Sequence, residues 1–381
     1  MTSPTTATEV GAPDDATPHV PLDQVEAELG RRLKAAQADA DGPVHRARMS
    51  NLIIYCSEAD HACRAEQQVP EIVAFHPARV ILLIGDAVAT TGDVTATVRV
   101  RKVKADSRLV SEQITLHAGG RMVEKLAFAV RGLLIGDLPT NLWWACSTPP
   151  PAAGPLLNDL ADHAQQVIYD SLGWADPNGA VAATSTWLEA FERGPEAGRW
   201  RIASDLTWRR LKTWRRLLTQ GLDPASAPGV LTSVSEVVIE HGPHAVTQAW
   251  QLAGWLTSRL GWTYEASKLR PNVEIAFRFR APHGWVVLRI DRLPEGPPEV
   301  HRVRVSCGFE GQGGALEFVA ESPERLAVIP QGVDVQPRTV TARPQRVAEL
   351  IGRQLSDRDP DPIFRESTGV AQHLARRVVQ G

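Results

Sequence analysis

The segment RVILLIG, residues 79–85, is a continuous apolar run bounded by Pro77 and Gly85. A run of this kind is typical of a parallel strand that is buried on both faces. Similar segments on either side predict strands at residues 51–56, 93–101, 109–117 and 142–146. The sequence between them predicts helices that begin near Pro21 and at residues 60–75 (with a kink at Pro70) and 120–131. Helices interleaved with buried strands indicate an α/β layer domain, which we place at residues 22–146.

A change of composition marks the end of this domain. The segment STPPPAAGP, residues 147–155, is rich in proline, so we expect a linker without regular structure at residues 147–157. Beyond it, the sequence predicts helices at residues 158–172, 184–191, 205–221, 243–260 and 344–355, and a strand at 232–240. We assign residues 158–358 to a second domain.

The second half of this domain has a different period. Apolar residues alternate with polar ones at Val273, Ile275, Phe277 and Phe279, and the alternation continues at residues 286–290, 303–307 and 316–320. A period of two predicts an antiparallel β-meander with one buried face. The predicted fold class is therefore α/β: an N-terminal mixed α/β layer domain, a helical segment, and an α+β domain with an antiparallel meander. We expect residues 1–21 to be a disordered tail and residues 359–381 a polar C-terminal tail, either helical or without regular structure.

The composition narrows the class of protein. The chain has 381 residues, of which 43% are hydrophobic and 22% charged, as in soluble globular proteins. Its apolar runs are far shorter than the roughly 20 residues of a membrane-spanning helix, and the N-terminus has no secretory signal pattern. Its four cysteines are sparse and scattered, so we expect a cytoplasmic protein. The formal net charge of −3 argues against nucleic-acid binding.

The sequence lacks the common catalytic and cofactor-binding motifs. It contains no G-x-G-x-x-G, no G-x-x-x-x-G-K-[ST], no G-x-S-x-G, no H-E-x-x-H and no C-x-x-C. His241 and His244 flank a Gly-Pro turn, where polar residues are expected without a metal. The pair Gly119-Gly120 can expose backbone N–H groups to an anion or form a plain tight turn, and we favour the turn. We therefore predict no catalytic residue, no cofactor and no metal.

The segment DLTWRRLKTWRRLL, residues 205–218, predicts the surface most suited to a partner. At helical spacing, Leu211, Trp214 and Leu218 share one face and the basic residues cover the rest. Arginine and tryptophan are enriched at protein interfaces. A docked helix with a solvated basic face is the simpler interpretation. The predicted interface residues are Trp208, Arg209, Arg210, Lys212, Arg215, Arg216, Trp143 and Trp144.

The predicted meander presents a second basic surface, on which two interpretations stay open. Arg278, Arg280, Arg289, Arg302 and Arg304 occupy the polar phase of their strands. Either they bind a partner, or they form ion pairs across neighbouring strands with Glu274, Asp291 and Glu317.

Three segments together resemble the N-terminal region of the OpcA family, the glucose-6-phosphate dehydrogenase assembly proteins: HPARVILL (76–83), SEQITLHAGGR (111–121) and LLIGDLPTNLWWAC (133–146). The helix at 205–218 resembles the Trp/Arg helix of the family's C-terminal region. The likeness spans roughly residues 45–360. It implies a cytoplasmic, non-catalytic protein that binds glucose-6-phosphate dehydrogenase and promotes its active oligomer in the oxidative pentose phosphate pathway.

Two further hypotheses remain. The alternative function is a sugar-phosphate- or nucleotide-binding enzyme or sensor with a site between the two domains, for which Arg79, Gly119-Gly120 and the strand arginines are the candidates. In addition, Cys56 and Cys63 are close enough in sequence to form a redox-sensitive disulfide, although two separate thiols are the simpler interpretation.

Overall fold

The structure is a computed structural model that describes residues 18–40, 42–46, 48–90, 92–103, 108–193, 201–270, 274–309 and 312–380. The chain divides into two compact units, Met1–Cys146 and Ser147–Gly381. Most of the predicted N-terminal tail lies outside the described residues. Val20, which we assigned to that tail, is instead buried, and its N–H donates to the Ala96 carbonyl at 2.8 Å.

The N-terminal unit alternates strands and helices. Its helices are α1 (Val25–Ala38), α2 (Ala59–Phe75) and α3 (Leu126–Arg131), with 3-10 turns at Leu22–Gln24 and Gly120–Lys125. Its strands are β1 (His45–Arg46), β2 (Ser50–Cys56), β3 (Ala78–Asp86), β4 (Thr95–Lys102), β5 (Leu109–Gly119) and β6 (Thr140–Trp144). Helix α2 continues through Pro70, so the kink predicted there does not interrupt it.

The strands of this unit form a largely parallel sheet in the order β1-β5-β3-β2-β6, and β4 pairs antiparallel with β5. Ile53 in β2 stands opposite Ile81 in β3 and Leu142 in β6, and all three side chains are fully buried. If the four longer parallel strands are numbered in chain order, their order across the sheet is 3-2-1-4, as in a Rossmann-type domain. The predicted α/β layer domain is confirmed.

The C-terminal unit has more elements. Its helices are α4 (Pro155–Ala161), α5 (Pro177–Arg193), α6 (Leu206–Arg210), α7 (Lys212–Gly221), α8 (Val246–Leu260), α9 (Val347–Ser356) and α10 (Pro362–Gln380), with a 3-10 turn at Pro150–Ala152. Its strands are β7 (Gln166–Tyr169), β8 (Ile202–Asp205), β9 (Val234–His241), β10 (Thr263–Arg270), β11 (Glu274–Ala281), β12 (Gly284–Arg292), β13 (Val300–Phe309), β14 (Gln312–Ser322), β15 (Arg325–Gln331) and β16 (Arg338–Thr341).

Three predictions for this unit are wrong in detail. The segment 147–157 contains regular structure, because proline is well accommodated in the first turn of a helix, as Pro155 is in α4. The predicted helix at 158–172 ends early and is followed by the short parallel pair β7 and β8. The segment 359–381 is not a loose tail: α10 packs on α5 and α8, with Phe364, Ala371 and Leu374 buried.

The large sheet of this unit differs from a simple meander in one respect. Its order is β10-β11-β12-β9-β13-β14-β15-β16, so β9 lies between β12 and β13 and runs parallel to β12. The remaining neighbours are antiparallel, as predicted, while Val273 lies outside the described residues. Phe277, Leu288 and Phe318 fill the buried face, and the Trp250 ring of α8 lies 5.8 Å from that of Phe277.

Candidate functional site

The predicted Trp/Arg helix is two helices, α6 and α7, with a break at Leu211. The Asp205 carboxylate caps α6 by accepting a hydrogen bond from the Thr207 N–H at 2.9 Å. Near the break, the Arg215 guanidinium lies over the Trp208 ring, 3.4 Å from its centroid, and donates to the Trp208 carbonyl at 3.2 Å. This contact fixes the arginine plane against the indole.

The basic residues of this segment divide into two groups. Arg209 and Arg210 bind carboxylates of their own chain: Arg209 donates to Asp357 at 2.6 Å, and Arg210 donates to both oxygens of Asp170 at 2.6 and 2.7 Å. Lys212 and Arg216 are exposed and form no ion pair with any residue that the structure describes. The first pair therefore fixes α6 in the fold, and the second pair is available for an external contact.

Arg215 is an intermediate case. Its side chain is half-buried, and its Nε is buried without a hydrogen-bond partner among the described residues. Burial lowers the pKa of Arg215 to about 10, and the carboxylate of Asp361 only partly opposes that shift. A buried guanidinium donor without an acceptor is unfavourable in isolation.

These cations line a cleft of about 530 Å³ in the C-terminal unit. One wall is α7, with Lys212, Arg215, Arg216 and Thr219. The other wall is the acidic loop, which we define as residues 357–361 (DRDPD), together with the start of α10. The acidic loop contributes Asp357, Asp359 and Asp361, and the Trp208 indole donates to Asp361 at 2.8 Å. This wall was not predicted from the sequence, although three of its five residues are aspartates that follow the predicted helix at 344–355.

A buried carboxylate lies at the base of the same cleft. Asp205 is 4% exposed and accepts hydrogen bonds from the Ser171 and Thr207 N–H groups and from the Gln251 amide. Burial, together with the nearby charge of Asp170, raises the pKa of Asp205 to about 6. The sequence identified Asp205 only as the start of a helix.

The two tryptophans that we predicted as interface residues in the N-terminal unit are not accessible. Trp143 and Trp144 are 6% and 4% exposed in β6, and Trp144 stacks on Tyr55 with ring centroids 4.6 Å apart. The apolar strand pattern that predicts β6 also predicts this burial. They serve as core residues.

The predicted cysteine pair does not present two reactive thiols. Cys56 is buried at the end of β2, whereas Cys63 is exposed on α2. Burial raises the pKa of Cys56 above its ordinary value, and the thiol of Cys146 adds to that shift. The thiolate is the reactive form, so Cys56 is a poor nucleophile. A disulfide between Cys56 and Cys63 stays a prediction that this burial disfavours.

The carboxyl ends of β2 and β6 form the position at which a Rossmann-type sheet usually holds a pyrophosphate. In this chain Glu58 precedes the first turn of α2 and Asp60 lies within that turn. Both residues are exposed, and neither caps the helix with its side chain. Two carboxylates at the positive end of a helix dipole are favourably placed, and their charge disfavours a phosphate group there.

The other predicted sites have structural explanations. A Cβ atom on Gly119 would lie 2.8 Å from the Thr90 carbonyl oxygen, and Gly120 has a φ of +52°, so both glycines serve the backbone of the turn. The ring of His241 is buried and contacts the Gly242 carbonyl at 2.8 Å. Within the described ranges, no group of three or more potential ligands is arranged to hold a metal ion.

The arginines of the large sheet also separate into two groups. Arg289, Arg302 and Arg304 form ion pairs with Glu236, Asp291, Glu240 and Glu317 on their own or neighbouring strands. Arg278 and Arg280 instead flank Trp285, with their guanidinium carbons 4.6 and 3.9 Å from its ring centroid. Of the two interpretations that the sequence left open, ion pairing applies to the first three.

The sequences of both units are similar to those of known proteins. Residues 69–186 match the family described as the glucose-6-phosphate dehydrogenase subunit N-terminal domain, and residues 201–368 match its C-terminal domain. A protein of Nostoc punctiforme named "Putative OxPP cycle protein OpcA" is 30% identical over 80% of this chain, and its namesake from Synechocystis sp. is 28% identical over 78%. The chain covers 66% and 64% of the lengths of these relatives. This chain belongs to the OpcA family, as the resemblance implied.

Several solved structures resemble the chain weakly in backbone fold. The dehydrogenase MviM from Clostridium difficile superposes with a TM-score of 0.44 at 8% identity, covering 87% of this chain and 99% of that one. A mutant of the Gal80p protein from Saccharomyces cerevisiae gives a TM-score of 0.48 at 11% identity, covering 89% and 95%. None of the described helices is long and apolar enough to cross a membrane.

Proposed function

We propose that this protein is a non-catalytic partner of glucose-6-phosphate dehydrogenase that promotes the active oligomer of that enzyme. The description of the matched family names a subunit of this dehydrogenase, which supports the choice of partner. We further propose that the protein is cytoplasmic and supports NADPH supply through the oxidative pentose phosphate pathway.

The observation that carries the proposal is the pair of exposed cations on α7. Lys212 and Arg216 are one helical turn apart and, within the described chain, lack an ion-pair partner. Together with Arg215 they form a basic surface, which suits an acidic protein surface. We define this surface, Lys212, Arg215 and Arg216, as the basic ridge. Trp208, which we predicted as an interface residue, is only 5% exposed and instead supports the Arg215 guanidinium from within the fold.

The second part of the proposal is that this protein has no catalytic activity of its own. Glu58 precedes the first turn of α2 and Asp60 lies within it, and their negative charges disfavour a dinucleotide phosphate, so we propose that the chain carries no dinucleotide there. Activation then needs only that the protein binds the active state of the dehydrogenase more tightly than the inactive one. A tenfold difference in affinity, about 1.4 kcal/mol, shifts that equilibrium tenfold.

The test is a kinetic titration of the dehydrogenase from the same source with this protein. We expect a lower KM or a higher kcat for the dehydrogenase, together with a larger complex on sizing. The variant Lys212→Glu/Arg216→Glu should lose both effects while its thermal melt is unchanged. Lys34→Glu/Lys125→Glu is the matched control, because it reverses two exposed lysines of the N-terminal unit.

Three outcomes separate the parts of this proposal. If the wild-type protein changes neither parameter and forms no complex, the assembly role is wrong. If both double variants retain full activation, the role stands and the basic ridge is not the contact. If the control loses activation as strongly as the ridge variant, the effect is one of overall charge and not of this surface.

A further inference from the structure

We infer that the cleft between α7 and the acidic loop is a binding site for a phosphorylated polyol, such as a sugar phosphate. The inference concerns a small ligand of this chain alone and lies within the C-terminal unit. It does not depend on the proposed dehydrogenase partner.

Arg215 is the anchor of the proposed phosphate site. The Trp208 ring holds its guanidinium plane at 3.4 Å, and one of its terminal nitrogens donates to the Trp208 carbonyl. Its Nε is buried and has no acceptor in the part of the chain that the structure describes. A planar guanidinium fixed in this way binds a phosphate with little loss of side-chain freedom.

Lys212 and Arg216 complete a triad of cations on the same wall. They stand three residues before and one residue after Arg215, so all three side chains line the cleft. Residues four apart on a helix lie one above the other, and two like charges there are mildly unfavourable without a counter-ion. A phosphate dianion removes that repulsion and accepts a hydrogen bond from each cation.

Charge is unevenly divided between the two walls of the cleft. Asp357 is paired with Arg209. The Asp361 carboxylate accepts from the Trp208 indole and from the Phe364 N–H at 2.9 Å, where it caps α10, so its hydrogen-bonding capacity is partly used. Lys212, Arg215 and Arg216 form no ion pair within the described residues, so the positive charge is concentrated on the α7 wall, and it is there that we place the phosphate.

The acidic loop explains why we infer a phosphorylated polyol and not a bare anion. Its carboxylates accept hydrogen bonds from hydroxyl groups, which a bare anion does not supply. Trp255, Ile363 and Phe364 add apolar surface to the lining, which suits a carbon skeleton. The volume of about 530 Å³ lies within the range of roughly 300–1,000 Å³ that is usual for small-molecule sites.

The first experiment is calorimetric titration of the full chain, without the dehydrogenase, at fixed ionic strength. The probes are inorganic phosphate, a hexose phosphate and the same hexose without phosphate. We expect the hexose phosphate to bind at least about tenfold more tightly than either of the others, a difference of about 1.4 kcal/mol. Equal binding of hexose phosphate and inorganic phosphate would remove the polyol from the inference, and no binding of either would overturn it.

Two variants assign the binding to this cleft. Arg215→Gln should weaken the hexose phosphate at least about tenfold, whereas Lys34→Gln removes one positive charge elsewhere and should leave it unchanged. Asp359→Asn should weaken the hexose phosphate but not inorganic phosphate, because only the polyol uses that carboxylate. If Arg215→Gln does not fold, Lys212→Gln/Arg216→Gln on the exposed face replaces it.

Contrary results with these variants are equally definite. Unchanged affinity in both cation variants would place any binding outside the cleft. An equal effect of Asp359→Asn on both ligands would mean that the acidic loop acts only through its negative charge. The proposed contact between Asp359 and the polyol hydroxyl groups would then be wrong. Because no dehydrogenase is present, either result leaves the proposed assembly role intact.

Discussion

Arg79 in the N-terminal unit and Arg215 in the C-terminal unit are both withdrawn from water, but their surroundings differ. Arg79 is 4% exposed and donates to Glu112 at 2.9 Å, to Glu26 at 2.6 Å and to the Leu133 carbonyl at 2.9 Å. Burial alone lowers the pKa of Arg79, but the two carboxylates more than offset it, so the net shift is upward. For Arg215 the carboxylate of Asp361 offsets burial only in part, so the pKa falls to about 10.

This difference separates charges that belong to the fold from charges that are available to a ligand or partner. A buried cation with a full set of acceptors is part of the core, and a protein gains little from exposing it. A half-buried cation such as Arg215, whose one hydrogen bond in the described structure goes to a neutral carbonyl, remains in an unfavourable environment until an anion binds. The same contrast holds for two buried carboxylates: Glu112 contacts three arginines, whereas Asp205 contacts only neutral donors.

The largest effect on stability should follow from breaking the ion pairs of Arg79 with Glu112 and Glu26. We expect Arg79→Met to lower the free energy of unfolding of the N-terminal unit by about 3 kcal/mol, because Glu112 and Glu26 lose a buried counter-charge. The estimate is at the lower end of such losses, since Arg48 still contacts Glu112. Hydrogen exchange of the β3 and β5 amides measures it within that unit.

The control for this variant removes both partners. Arg79→Met/Glu112→Leu leaves no unpaired charge between β3 and β5, so part of the loss should be recovered. A loss below about 1 kcal/mol in the single variant would mean that the network is not what distinguishes Arg79 from Arg215.

The buried carboxylate of the C-terminal unit should respond to pH. The pKa of Asp205 in the fold, about 6, lies above its ordinary value of 3.8. Its contribution to stability is therefore complete below pH 3.8 and is lost as the pH rises through 6. Relative to Asp205→Asn, which does not titrate, the wild-type protein should lose about 3 kcal/mol between pH 4 and pH 7.

Chemical denaturation of both proteins at several pH values gives this difference directly. The comparison with Asp205→Asn cancels the titration of the surface carboxylates, which the two proteins share. Parallel stability profiles for the two proteins would show that Asp205 stays ionised in the fold, so that its neutral donors suffice to hold the charge.

Neighbouring arginines test the comparison within one segment. Arg210→Gln should cost about 2 kcal/mol, because it leaves Asp170 unpaired beside Asp205. Arg215→Gln should change stability by no more than about 1 kcal/mol, because the lost stacking on Trp208 is balanced by relief of a desolvated charge. Thermal denaturation of the two variants side by side measures the difference, and equal losses would contradict it.

Sequence patterns were sufficient for most of the fold and for little of the site. The spacing of apolar residues, and the glycines and prolines between segments, identified the buried strands β2, β3 and β6 and the alternating strands of the large sheet. Burial on one or two faces of a strand leaves such a local signal in the sequence. The position of β9 between β12 and β13 has no local signal, since β9 precedes them by some fifty residues in the chain. Pairing over that distance is a tertiary property.

The site depends on contacts of the same long range. Arg209 and Arg216 look alike in the sequence, yet Asp357 neutralises only Arg209, from 148 positions further on. Trp143 and Trp208 also looked alike as interface candidates, and the fold buries both, to 6% and 5% exposure. The residue types could be predicted from the sequence, but which charges remain unpaired is decided by the tertiary fold.

The smallest effect on stability should come from the residues that matter most for binding. Lys212 and Arg216 repel each other one turn apart, so Lys212→Gln should leave the melting temperature unchanged or raise it, by at most about 0.5 kcal/mol in free energy. Arg353→Gln on α9 is the matched control, because it removes an ion pair with Glu349 at the same spacing and should lower stability by a similar amount. Opposite signs for these two substitutions would mean that the cations of α7 are retained in spite of their cost to the helix. A loss of stability in Lys212→Gln as large as in the control would instead make Lys212 an ordinary structural residue, and the distinction between the two kinds of charge would fail at that position.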